Sequence, residues 1–160
     1  MRRFLSAVGL LAVLATTTAA GSLKVGVFQV DASPPVGSPL AYDPTRAIVL
    51  PLSCKGVVLI GDDRPIVLCA VDWIGIANEG QTEFRKALAD AAGTDPACVA
   101  VHTLHQHDAP VCDFTTDRLL TGQKINKEFY DAAFNRAVIA RAAAALKKAV
   151  AEARPVTHLG

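Results

Sequence analysis

The sequence lacks three features that would each point to a particular class of protein. Its four cysteines include no C-x-x-C pair, so a cysteine-based zinc site is not expected. The net charge is only +1, and no cluster of lysines and arginines resembles those of nucleic-acid-binding proteins. After residue 20, no apolar run approaches the roughly 20 residues that cross a bilayer. From the charge, nucleic acid is not an expected partner, and from the lengths of the apolar runs, no membrane span is expected after residue 20.

The first twenty residues have the three parts of a secretory signal peptide. Arg2 and Arg3 give a basic start, residues 4–15 form a short apolar run, and small residues lead up to Ala20. We expect cleavage near Ala20 and a secreted or periplasmic mature protein. The remaining residues, 23–160, number about 140, which is enough for one domain with a hydrophobic core.

The cysteines would then face an oxidising compartment, where disulfides persist. Cys54 and Cys69 flank a predicted hairpin, yet both also lie in apolar strands, where a free cysteine packs as a small hydrophobe. For these two, and for Cys98 and Cys112, disulfides and buried free thiols both stay open, and so does the pairing.

Hydrophobic periodicity predicts strands and helices in alternation. Strands are expected at 23–30, 47–52, 55–60, 66–71 and 98–103, with 66–71 apolar enough to be buried on both faces. Helices are expected at 79–92, capped by Asn78 and Gly93, and at 127–153. This order predicts an α/β layered sandwich with a mixed sheet and flanking helices. Because residues 156–160 look like the entry to another strand, we expect the domain to be truncated at its carboxyl end.

Three of the four histidines fall within residues 102–110. If the chain is extended there, His105 and His107 point the same way, beyond the carboxyl end of a strand, where α/β proteins commonly bind ligands. Imidazole is the commonest metal-ligating side chain, and Asp108 could orient one such ring. H-x-H alone is a weak motif, so solvated loop histidines are the alternative. His102, with the opposite strand parity, reads as structural, and His158 as an isolated surface residue.

The order of these segments resembles the amino-terminal part of the neutral, non-lysosomal ceramidases and their bacterial relatives. Residues 30–37 resemble that family's early D-I-T-P-P-x-G segment, and 46–50 its arginine-led strand. Residues 67–75 resemble its strand ending in aspartate, and 101–110 its A-T-H-T-H-S-G-P motif. The alanine-rich helix ending before Pro155 also has a counterpart.

The resemblance implies a zinc-dependent amidase with one zinc ion. His105 would be a zinc ligand, and His107 would be a catalytic residue that contacts the metal-bound water or the developing oxyanion. The family's other ligands are expected downstream of Gly160. Three residues depart from the family motif, namely Gln106, Asp108 and Ala109, and they bear on the substrate more than on the fold.

Two functions follow as expectations. The first is a secreted zinc-dependent amide hydrolase that resembles neutral ceramidase and acts on ceramide or a related N-acyl lipid, with peripheral contact to membrane lipid. The second is a non-catalytic secreted binding domain on the same scaffold. Asp72, at a strand end, is interpreted as a capping or loop-bonding aspartate rather than an active-site neighbour.

Overall fold

A five-stranded mixed sheet forms the centre of the protein. The computed structural model describes residues 22–125 and 129–158. The sheet contains β1 (Lys24–Asp31), β2 (Ser53–Ile60), β3 (Ile66–Val71), β5 (Val99–Thr103) and the short β7 (Arg154–Pro155), in the order β5-β3-β2-β1-β7. The pairs are antiparallel except for β3 and β5, which are parallel. A second, two-stranded parallel sheet consists of β4 (Gly75–Ile76) and β6 (Val111–Cys112).

Three helices complete the fold: α1 (Asn78–Ala92), α2 (Phe114–Gly122) and α3 (Ala132–Ala151). Helix α3 packs on β1 and β2, α1 packs on β3 and β5, and the two helices contact each other. The core between them and the sheet includes Trp73, Phe84, Leu88 and Leu146, all fully buried. The predicted α/β class with a mixed sheet and flanking helices is therefore confirmed. None of the helices that the structure describes is long and apolar enough to span a membrane.

The face of the sheet opposite the helices, called here the outer face, carries apolar side chains that none of the described elements covers. Alternation places Val27, Val57, Ile66 and Leu68 on this face, in adjacent register across β1, β2 and β3. Val27 is 72% exposed and Leu68 is 45% exposed. The prediction that 66–71 is buried on both faces is wrong, because α1 and α3 cover only one of the two.

The predicted helix 127–153 begins later than expected. Residue 127 lies outside the described residues, and helix α3 starts only at Ala132 because the Asp131 carboxylate accepts a bond from the Phe134 N–H, 3.0 Å away. This is an N-cap, which fixes where a helix begins. At the other predicted helix, Gly93 ends α1 in the left-handed conformation as expected, but Asn78 does not cap its start.

Two further segments differ from the prediction. Residues 47–52 form a loop rather than a strand, in which the Leu52 N–H bonds to the Ser33 hydroxyl at 2.8 Å instead of joining the sheet. Residues 114–122, where no helix was expected, form α2, because the Asp113 carboxylate accepts a bond from the Thr116 N–H at 3.0 Å. In both cases a short polar side chain decides the local structure.

Candidate functional site

The candidate site is the loop of residues 104–110, which leaves the carboxyl end of β5 and returns through β6. The Leu104 N–H donates to the Val71 carbonyl at 3.2 Å, which fixes the start of the loop against the end of β3. The Ile74 N–H donates to the Pro110 carbonyl at 3.2 Å, which fixes its end. The loop is therefore held at both ends by the end of β3 and the segment that follows it.

His105 occupies an unusual backbone conformation that sets the direction of its ring. Its φ is 59°, in the left-handed region that non-glycine residues seldom adopt. Its Nδ1 lies 2.9 Å from the Ile74 carbonyl oxygen. A carbonyl only accepts, so Nδ1 donates this bond, and whenever the ring is neutral its Nε2 has a free lone pair. A backbone carbonyl on one nitrogen is how proteins commonly orient an imidazole that binds metal through the other.

His107 lies directly beside His105. The two ring centroids are 4.9 Å apart and the rings meet edge to face. The turn at His105, and not the extended chain that was expected, brings the two rings together. Both side chains are exposed, so water and a ligand can reach them.

Tyr42 is a site residue that the sequence analysis missed. Its ring centroid lies 5.7 Å from that of His107. The loop that carries it is tied to the histidine loop by the Ala41 N–H, which donates to the Ala109 carbonyl at 3.2 Å. Tyr42 is 71% exposed and distant in sequence, and no spacing rule connects it to the histidine motif.

A groove of about 490 Å³ is lined in part by the same loop. Gln106 and Asp108 line it from the histidine loop, and residues 43–50 form another of its walls. That wall carries Arg46, whose guanidinium lies 3.7 Å from Asp43, and exposed aliphatic side chains at 48–50. The groove thus combines apolar surface with charged groups next to the two histidines.

The remaining candidates lie elsewhere. Asp72 accepts bonds from the Ser53 N–H and hydroxyl, at 2.8 and 2.7 Å, which agrees with the loop-bonding interpretation. On β5, Val101 and Thr103 face the helices. His102 lies between them and therefore points to the outer face. His158 is exposed and contacts only the neighbouring Thr157 hydroxyl among the bonds the structure describes.

The described residues do not complete a zinc site. Among residues 22–125 and 129–158, no three histidine, cysteine or acidic side chains converge in a way that could hold a metal ion. Asp108 is directed to the groove, and the ring of His105 is oriented by Ile74 rather than by this carboxylate. His105 fits a zinc ligand on its own geometry, but a catalytic zinc takes about three protein ligands and a water.

Comparison with known proteins shows similarity at the level of the fold. No protein-family model matches the chain, and no curated protein sequence matches it. Among solved structures, a neutral ceramidase from Pseudomonas aeruginosa superposes with a TM-score of 0.61 and 15% identity, over 86% of this chain and 23% of its own. A ceramidase complexed with C2 gives 0.57 and 14%, over 84% and 22%. The chain thus spans under a quarter of these proteins and shares their fold over that part.

Proposed function

We propose that this chain contributes His105 and His107 to the active site of a zinc-dependent amide hydrolase of the ceramidase kind. The observation that carries the proposal is the bond between His105 Nδ1 and the Ile74 carbonyl, which leaves Nε2 available beside a second imidazole. The ceramidase-like fold supports it independently. At least one more ligand is required from outside the described residues.

Each histidine has a separate role in this proposal. His105 holds the metal through Nε2, while its Nδ1–H keeps the ring fixed against Ile74. Zinc held there would supply a Lewis acid for the amide carbonyl and a water of lowered pKa. His107, unbonded to any backbone carbonyl in the described structure, would hydrogen-bond the attacking water or the substrate carbonyl oxygen and would hold or release a proton there.

The substrate we propose is an N-acyl lipid. The groove beside Gln106 and Asp108 has an apolar wall in which Val49 and Leu50 are 87% and 81% exposed, which suits an alkyl chain next to the histidines. Arg46 and Asp108 also line this groove and would meet the polar part of such a lipid. Peripheral contact with a lipid surface and export through the amino-terminal leader belong to the same proposal.

The test uses protein produced from its complete gene. Wild type is expected to retain zinc and to hydrolyse a fluorogenic ceramide. His105→Ala should lose the metal, and His107→Ala should keep it while losing at least about a hundredfold in activity, since general acid–base groups contribute about that much or more. His102→Ala is the matched control, because its ring lies on the outer face, and it should retain both properties.

Metal analysis of these variants separates the outcomes. Equal zinc content in wild type and His105→Ala would refute the ligand assignment. Wild type without zinc and without turnover would favour the non-catalytic binding domain instead. Residues 1–160 alone should bind zinc weakly and show no turnover, because two imidazoles do not complete the site; tight binding by this segment would show the coordination to be different.

A further inference from the structure

Two buried cysteines lie side by side in the sheet. The Sγ atoms of Cys54 and Cys69 are 3.5 Å apart. Cys54 is 0% exposed and Cys69 is 1% exposed, and both belong to the core between the sheet and the helices. Of the four cysteines, only these two contact each other among the described residues.

Their positions on the strands explain the contact. Cys54 in β2 pairs with Val71, and Cys69 in β3 pairs with Gly56, so the two cysteines are diagonal neighbours on the same face of the sheet. Diagonal neighbours are about 7–8 Å apart at Cα, and cysteines more than about 7 Å apart can be bridged only if the backbone moves, so the bond would draw β2 and β3 together locally. Their side chains already turn toward each other across this gap, and a disulfide would require the sulfurs to approach by about 1.5 Å more.

We propose that Cys54 and Cys69 form a disulfide when the chain folds under oxidising conditions, and that this bond links β2 to β3 within the core. Cys98 and Cys112 stay reduced. The inference does not depend on the proposed hydrolase activity, since it involves no residue of the histidine loop.

The reaction needs an oxidant, which we take to be a small-molecule disulfide such as oxidised glutathione. One cysteine thiolate attacks the glutathione disulfide, which forms a mixed disulfide and releases one glutathione thiolate. The second cysteine thiolate then attacks the protein sulfur of the mixed disulfide and releases the other. Two protein thiols lose two protons and two electrons, and one glutathione disulfide becomes two glutathione thiols.

The bond should form during folding rather than afterwards. In the folded protein, the hydrogen bond with Cys54 and burial both raise the pKa of the Cys69 thiol far above its usual range. The thiolate is the attacking species, and neither sulfur is accessible to glutathione once the helices cover the sheet. Reduced protein that is already folded should therefore resist oxidation.

The experiment refolds the chain from the reduced, unfolded state with reduced and oxidised glutathione. After refolding, free thiols are alkylated under denaturing conditions, disulfides are reduced, and the released thiols take a second label of different mass. Peptide mass spectrometry should find the first label on Cys98 and Cys112 and the second on Cys54 and Cys69. The first label on all four, or the second label on Cys98 or Cys112, would overturn the proposal.

Stability provides a second readout that does not depend on labelling. The urea midpoint of wild type and of the matched control Cys98→Ser should shift upward when refolding is oxidative rather than reductive. The midpoint of Cys54→Ala should be the same in both conditions, because it cannot form the bond. An equal oxidative shift in Cys54→Ala would assign the effect to another pair and contradict the proposal.

Discussion

A substitution at Gly80 tests how tightly β6, the strand that follows the histidine loop, packs against helix α1. Gly80 lies in the first turn of α1 and is buried against β6. A Cβ at this position would lie 2.7 Å from the Cys112 carbonyl oxygen and 2.9 Å from its sulfur. The Cys112 carbonyl already accepts the Ala77 N–H at 2.9 Å, and Asn135 holds the neighbouring Val111 carbonyl at 2.9 Å. Strand β6 is therefore held from two sides and cannot easily move away.

The expected loss of stability follows from two opposing contributions. Overpacking a close contact costs about 1–3 kcal/mol. We expect a cost in the upper part of that range, because the contacted atom is a backbone oxygen and cannot move aside by a change of rotamer. Alanine is favoured over glycine inside a helix by about 1 kcal/mol, which offsets part of the cost. We expect Gly80→Ala to lower the free energy of unfolding by about 1–2 kcal/mol.

Gly122 provides the matched control, because it lies in α2 and a Cβ added there would have no neighbouring atom within 4 Å. Gly122→Ala should leave stability unchanged or raise it by up to about 1 kcal/mol. Urea unfolding followed by the fluorescence of Trp73, the single tryptophan and fully buried, measures both variants. Gly80→Ala with the stability of wild type, or Gly122→Ala with an equal loss, would refute the packing argument.

Two further predictions concern the helix cap and the outer face. Burial raises the pKa of Asp113, but bonds from Thr116 and Asn78 outweigh this effect and hold the pKa below its usual range. The stability that the ionised carboxylate contributes is therefore present above about pH 4 and is lost as the pH falls through the lowered pKa. Asp113→Ala should therefore cost about 1 kcal/mol at neutral pH, with a smaller difference from wild type near about pH 3, measured by urea unfolding; a constant difference would contradict this. We expect the purified chain to self-associate through the exposed apolar side chains of the outer face. Leu68→Lys, at a 45% exposed position of this face, should therefore reduce light scattering without lowering the unfolding midpoint. Equal scattering by this variant and wild type would show that the outer face does not drive self-association.

The sequence was most informative where a periodic apolar pattern met a clear stop signal. Strand β3 was predicted with its observed bounds because a turn precedes it and the apolar run ends at Val71. The end of α1 was predicted because Gly93 can adopt the left-handed conformation that closes a helix. Both features depend only on neighbouring residues, which a single sequence contains.

Prediction failed where a contact with a distant residue decides the local structure. The apolar residues 47–50 satisfy a strand pattern, yet no neighbouring strand among the described residues pairs with them, and they form a wall of the groove instead. Similarly, the outer face of β3 is apolar enough to be buried, and only the arrangement of α1 and α3 leaves it exposed. Periodicity indicates what a segment could bury but not what will cover it.

The candidate site depends both on a local sequence pattern and on a contact with a distant residue. Spacing along the chain was enough to associate His105 with His107, but it supplied the wrong geometry, since the backbone at His105 is left-handed rather than extended. What orients the ring is the Ile74 carbonyl, 31 residues away in sequence and brought near only because β3 and β5 are parallel neighbours. A motif can therefore identify which side chains meet, while the free nitrogen that gives a histidine its chemistry is determined by the topology of the sheet that carries it.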